Sequence, residues 1–250
     1  MIKLKTDAEI AMMKASGEVA SRAMLAVAEK IRPGVSTAEL DKVAYHIITR
    51  NGAVPSFKGY RGFPGSICAS VNEEVVHGIP GSRRLEEGDI ISIDMGAVLN
   101  GFHSDMARTF AVGAVDSETQ RLMDVTKSSF FEGLKGFTED NRLMEISRRI
   151  QETAESAGFS VVRDLVGHGI GRDLHESPDV PNFVLKGPNP RLNVGLVLAI
   201  EPMINAGKAA VEWCEDGWTV VTADGKPSAH YENTVALTGN GLVILTDSHI

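Results

Sequence analysis

Cysteine is nearly absent from this sequence: Cys68 and Cys214 are the only two in 250 residues. A small secreted scaffold held by disulfides is therefore excluded. Basic blocks are missing as well. None is longer than a pair such as Arg83-Arg84, and with a formal net charge of -8 the chain has no electrostatic footprint for a phosphate backbone. Nucleic acid is not an expected ligand. No apolar run approaches the ~18 residues of a membrane span, and the opening MIKLKTDAEI lacks a secretory apolar stretch, so the expected location is cytoplasmic, with no membrane partner. What remains is an ordinary globular composition, 43% hydrophobic and 23% charged, long enough to bury a large core.

From Ile10, small or apolar residues recur at Met13, Gly17, Ala20, Met24, Val27 and Ile31, in alternating steps of three and four. That spacing predicts a long amphipathic helix, which Pro33-Gly34 stops. Ser36 and Glu39 form a capping-box pair opening a second helix, with Leu40, Val43, Ala44 and Ile47 on its buried face and Asn51-Gly52 at its end. From Ser117 the plan repeats: a helix to about Leu134, a polar break, then Leu143, Ile146, Ile150 and Ala157 on one face before Gly158.

The strand regions agree more closely than the helices. RLEEGDIISIDM (84–95) aligns without a gap to RLNVGLVLAIEP (191–202), setting Asp94 against Glu201. VVHGI (75–79) matches VGHGI (166–170), setting His77 against His168, and HSDMARTFAV (103–112) resembles HYENTVALTG (230–239), setting Asp105 against Glu232. The chain thus reads as a single domain over 1–250 with pseudo-symmetric halves of about 1–113 and 114–250, each carrying one histidine and two acids. Duplication alone explains the matching Arg, Leu and Gly as turn and core positions. It does not explain carboxylates inside apolar strands, which need a compensating charge.

If a pseudo-twofold axis relates the halves, Asp94, Asp105, Glu201 and Glu232 converge near it. Four crowded carboxylates repel one another, and two divalent cations cancel their charge. Ligation by carboxylates and one imidazole suits Mn²⁺, Fe²⁺, Co²⁺ or Zn²⁺. His103 and His230 read as packing or supporting histidines, and the aromatics of PSFKGYRGFPGSIC (55–68) as a loop capping the core.

The set VVHGIP, DIISIDMGA, GFHSDMARTF, GHGIGRDLHESP, AIEPMI and HYENTVA resembles the methionine aminopeptidases, the type I bacterial-like form in particular, from about Asp7 to the C-terminus. The fold this implies is the α+β pita-bread fold of the creatinase and aminopeptidase kind: a duplicated, curved antiparallel sheet with two helix pairs on its outer face. The implied activity is removal of the N-terminal methionine from newly made chains with a small second residue, by attack of a metal-bridging hydroxide. Asp94, Asp105, His168, Glu201 and Glu232 would hold two metal ions, with Asp105 and Glu232 bridging. The resemblance makes Glu201 the general base, places His175 at the scissile carbonyl oxygen and His77 at the scissile nitrogen, and lines a methionine pocket with Phe57, Tyr60, Phe63, Cys68 and Trp218. Partners would be nascent N-termini, with the ribosome as an optional contact, and the chain would act as a monomer. The glycines at 167, 169 and 171 would let the backbone around His168 lie against metal and substrate.

Three positions depart from the bacterial pattern: Phe57 for a frequent cysteine, Arg61 for a frequent histidine, and Leu174 for an aromatic before His175. They bear on the second-residue preference. Because the first helix begins almost at once, no zinc-finger extension is expected; separately, the lack of a long helical insertion between Glu201 and Glu232 argues against the type II form. A proline-specific aminopeptidase or prolidase, and a non-catalytic binding module, are the competing readings.

Overall fold

The computed structural model describes residues 1–247 of the chain. Helix α1 spans Asp7–Ala28 and opens on a capping box in which the Glu9 N–H donates to the Thr6 hydroxyl and the Thr6 N–H donates to the Glu9 carboxylate. It ends short of the expected Ile31. Pro33 disfavours helical backbone at the residue before it, and Ile31 reaches the core from the connecting turn, half-buried. Helix α2, Thr37–Arg50, begins on the expected Ser36–Glu39 capping box. Its fully buried line is Leu40, Ala44 and Ile48, with Val43 and Ile47 flanking it.

Helices α3, Ser117–Leu134, and α4, Leu143–Ser156, form the second pair. The inner face of α4 is Leu143, Ile146, Ile150 and Ala154, and the expected Ala157 lies one residue beyond the helix. Helix, helix, then strands is the order on both occasions.

The main sheet has nine strands, all paired antiparallel. Along its path run Val54–Pro55, Ile90–Leu99, Phe102–Ala111, Glu232–Thr238, Val197–Ile200, Gly167–Gly169 and Glu176–Val180. Ile67–Val71 pairs beside Ile90–Leu99, and Gly241–Ile244 beside Glu232–Thr238. Strands from the two halves of the chain therefore meet in the middle, where Phe102–Ala111 lies against Glu232–Thr238. Alternation decides which side chains face the helices. Met24, Val27 and Leu40 of the first pair pack with Ile91, Ile93 and Met95, while Phe130, Ile146 and Ile150 of the second pack with Leu198, Ile200 and Val235. This is the pita-bread arrangement: a curled sheet with both helix pairs on one face and the other face left for chemistry.

Gly17 sits where α1 crosses the chain at Leu245, and a Cβ there would strike the Leu245 carbonyl oxygen. In an open helix, alanine is favoured over glycine by about 1 kcal/mol. Here the overlap with backbone outweighs that gain. Gly17→Ala is expected to destabilise the protein by about 1–3 kcal/mol, read as a lower denaturant midpoint at unchanged slope.

Candidate metal centre and its cavity

Residues two apart on a strand share a face, and so do residues paired across strands. Asp94 pairs with Ala107, and Ala107 with Glu232. Asn233 pairs with Ile200, which sets Glu201 level with Glu232 just past the end of its strand. Asp94, Glu232 and Glu201 thus form one row on the inner face. The next row runs from Gly96 through Asp105 to Thr234, Ala199 and His168; the Asp105 N–H donates to the Thr234 hydroxyl at 2.9 Å. Acids inside apolar runs are explained by this register, because their Ile, Leu and Met neighbours point the opposite way, to the helices.

The two rows make a tight cage. His168 Nε2 lies 3.6 Å from Glu201 Oε1 and 3.8 Å from Asp105 Oδ2, and Asp105, His168 and Glu232 each offer an atom within 4.8 Å of the others. Burial first, and then the neighbouring carboxylates, raise Asp94, Glu201 and Glu232 well above the ordinary carboxylate range, and burial lifts Asp105 to about 7. Burial, and next the adjacent His175, hold His168 down to about 3, so its ring is neutral at pH 7. Its Nδ1–H donates to the Gly169 carbonyl at 2.9 Å, which turns the Nε2 lone pair toward the acids.

One buried oxygen each of Asp94, Asp105 and Glu232 has no hydrogen-bond partner. Behind the cage, Arg108 directs N–H groups to the carbonyls of Ala107 and Glu232 and to Asn233 Oδ1. Acceptor oxygens left without donors, beside an imidazole with a free lone pair, are the donor set that a hard-to-borderline divalent ion satisfies. The residues present fit a metal.

His77 and His168 do not become equivalents, although VVHGI and VGHGI align. His168 lies inside the strand Gly167–Gly169 of the main sheet, whereas His77 follows Glu74–Val76, a strand of a separate three-stranded sheet, on left-handed backbone at φ 61°. Its ring stands perpendicular to Trp218 with centroids 6.4 Å apart. His175 packs on His168 at 4.1 Å between ring centroids, and its Nδ1 is 2.9 Å from the Tyr60 hydroxyl. Burial, then the charge of Arg61, lower its pKa to about 4. His77, His175 and the five cage residues share one cavity with Phe57, Tyr60, Phe63, Cys68 and Trp218, and Arg61 and Leu174 complete its lining. Of the remaining histidines, His103 Nδ1 lies 3.0 Å from the Ser56 hydroxyl, and His230 Nε2 lies 3.8 Å from Glu201 Oε2.

The glycines around His168 also make room for close neighbours within the chain. A Cβ on Gly167 or Gly169 would strike the carbonyl oxygens of Ala199 and Ser177 on the adjoining strands, and one on Gly171 would lie 2.6 Å from Lys5 Cε. They make room for backbone and for a lysine stem. Gly167 alone of the three also meets a cage residue, Glu201 Cγ at 3.2 Å.

That lysine belongs to a pair which the sequence reading does not single out. Lys5 Nζ sits 2.6 Å from Glu176 Oε2 with both side chains nearly fully buried, and Glu176 Oε1 accepts from the Arg172 N–H at 3.1 Å. Together they fasten the loop carrying His175 to the segment ahead of α1. The partners are 171 positions apart, so no local pattern announces them; a carboxylate directly after His175 is the sign that the sequence holds.

The model of metallopeptidase family M24 matches residues 11–239. The methionine aminopeptidase of Clostridium perfringens (strain 13 / Type A) is 56% identical over 246 residues, covering 98% of this chain and 99% of its own. Among solved structures, the methionine aminopeptidase of Thermotoga maritima superposes with a TM-score of 0.96 at 44% identity, over 99% of this chain and 100% of that one. The prolidase of Pyrococcus furiosus has a TM-score of 0.79 and 24% identity over 98% of this chain and 65% of its own, a likeness of fold alone.

With metal chelated away, the cage acids keep protons in the folded state that the unfolded chain has already lost at pH 7. Their contribution to stability is complete below about pH 4 and is lost as pH rises through the folded values, about 7 for Asp105 and well above the ordinary carboxylate range for its neighbours. The buried histidines, with lowered pKa values, add no slope above about pH 6.5. The carboxyl contribution to the stability of the chelated protein, read by melting, should therefore fall as pH rises from about 5 through about 7, by up to about 1.4 kcal/mol per pH unit for each carboxyl still protonated. Saturating Mn²⁺ should raise the melting temperature and flatten the slope.

Proposed function

The chain belongs to metallopeptidase family M24, and from that premise we propose that it is a metal-dependent aminopeptidase that removes the N-terminal methionine of polypeptides. The observation that carries this reading is the set of orphaned carboxylate oxygens beside an aromatic-walled cavity. Asp94, Asp105, His168, Glu201 and Glu232 are the proposed ligands. Four carboxylates favour two divalent ions over one, because a single ion would leave the buried cage anionic. Manganese, iron(II), cobalt and zinc all suit such donors. Bound there, the ions would supply a nucleophilic water and polarise the scissile carbonyl.

The remaining steps belong to the chain's own side chains. Glu201 faces the cavity with one oxygen toward His168 and the other toward His230, and is the proposed base that takes the proton of the attacking water and delivers it to the leaving amine. His175 is neutral at pH 7. A Tyr60 hydroxyl donating to Nδ1 across 2.9 Å would leave the ring proton on Nε2, from which it could donate to the carbonyl oxygen as charge develops. His77 is assigned to the scissile nitrogen.

For the methionine side chain, Phe57, Tyr60, Phe63, Cys68 and Trp218 offer an apolar wall, with Phe63 and Trp218 edge to face at 5.0 Å. Burial raises the Cys68 thiol, which therefore stays neutral and soft beside a thioether. A small second residue completes the proposed specificity. The whole chain would act as one catalytic domain, a cytoplasmic monomer meeting new chains near the ribosome. No helix among the described residues is long and apolar enough to cross a membrane.

A peptide panel tests the reading after chelation and return of Mn²⁺. Free methionine is expected from Met-Ala-Ser and not from Met-Leu-Ser, and no residue from an Ala-Pro N-terminus; release from Ala-Pro instead would move the chain to proline-specific chemistry. His175→Ala should lower kcat by about 10²–10³ with metal content unchanged. Asp94→Ala should lose metal in equilibrium dialysis, and retention of full metal content would remove that residue from the ligand set.

A further inference from the structure

Arg61 occupies backbone that arginine rarely adopts. It lies in the short turn Tyr60–Gly62 at φ 49°, ψ 23°, and the left-handed region is disfavoured for a residue with a Cβ. Its neighbours Gly59 and Gly62, at φ 83° and 92°, meet the same demand with glycine. A side chain retained at such a position calls for a use outside the fold.

The side chain makes no contribution to the fold that would supply one. Arg61 is exposed, its guanidinium carbon stands 5.4 Å from the Tyr60 ring, and among the described residues no carboxylate or carbonyl pairs with it. Yet it lines the cavity above the acidic cage. Its ring neighbour Tyr60 is 2.9 Å from His175 Nδ1, which places the charge within two or three residues of the scissile bond for an extended chain advancing about 3.3–3.6 Å per residue. Lys58 stands exposed on the same loop. A positive charge lining a cavity whose floor is acidic, on a chain of net charge -8, discriminates among substrates by their own charge.

We infer that Arg61 is a specificity-determining residue that favours N-termini carrying Asp or Glu at the third or fourth position, by pairing its guanidinium with that carboxylate as the chain leaves the cavity. The inference rests on the aminopeptidase reading above. It concerns the residues beyond the second, which the methionine pocket does not touch.

Three C-terminally amidated peptides test it: Met-Ala-Ser-Glu, Met-Ala-Ser-Ser and Met-Ala-Ser-Lys. The acidic peptide is expected to exceed the basic one in kcat/KM by about two- to fivefold at low salt, the range of an exposed ion pair, and the ratio should approach one at about 0.5 M NaCl. Arg61→Gln should bring the low-salt ratio near one and Arg61→Glu should invert it. Because the readout is a ratio on one enzyme sample, partial loss of folded protein cancels. Arg61→Gly, which removes the charge and suits the left-handed backbone, should lose the bias without melting below the parent. A ratio that Arg61→Glu leaves unmoved overturns this inference while the aminopeptidase reading stands. Failure to release methionine from the neutral peptide overturns that reading, and this inference with it.

Discussion

Carboxylates of one sign, crowded at the bottom of a largely buried cavity, are the constraint around which the molecule is organised. Asp94, Asp105, Glu201 and Glu232 stand on two adjacent rows of one sheet face, and their raised pKa values express how strongly the site resists holding them ionised together. A protein can tolerate such a group only if a cation neutralises it or if the acids stay protonated. The neutral imidazole of His168, aimed inward by its hydrogen bond to the Gly169 carbonyl, adds an acceptor without adding charge of either sign. The cage is built to be completed from outside the chain.

Rigid placement follows from the sheet. Each half of the chain supplies two acids, and the halves join by direct strand pairing between Phe102–Ala111 and Glu232–Thr238, so the distance between their carboxylates is set by strand spacing and not by loops. The groups that would handle substrate are held differently. His77 follows a strand of a separate small sheet, and His175 rides on a loop whose anchor is the buried Lys5–Glu176 pair. Charge also changes with depth. Acids form the floor, neutral histidines and aromatic rings the walls, and at the exposed end lies the Arg61 guanidinium, with no ion-pair partner among the described residues.

Much of this was legible in the sequence, and the reasons for success and failure are physical. Helix starts and buried faces are local, so Ser36–Glu39 and the line from Leu40 to Ala44 could be read directly. The acids were legible because duplication repeats them in matching apolar contexts. The close neighbours of the glycines at 167, 169 and 171 were not legible, since what a missing Cβ makes room for depends on which strand or side chain lies alongside: Ala199, Ser177 and Lys5 in this fold. The divergence of His77 from His168 was hidden for a related reason, because four matching letters in five do not say which sheet a strand will join. Lys5–Glu176 joins residues 171 positions apart and leaves no periodic trace.

The apolar letters flanking each acid have a second meaning once register is known. A buried polar atom without a partner costs about 1–3 kcal/mol, and a fully buried Leu, Ile or Met side chain contributes about 1.5–3 kcal/mol. Ile93 and Met95 bracket Asp94, Met106 follows Asp105, and Ile200 precedes Glu201; all of them are fully buried against the helix side of the same strands. Each of these three inward acids is thus offset by an outward hydrophobe one residue away, on the same rigid backbone. The helix pairs serve the chemistry in this sense: by covering the outer face they let the strands carry an inner face that would not be stable alone. The pattern that first marked the acids as out of place is the same pattern that makes their placement tolerable.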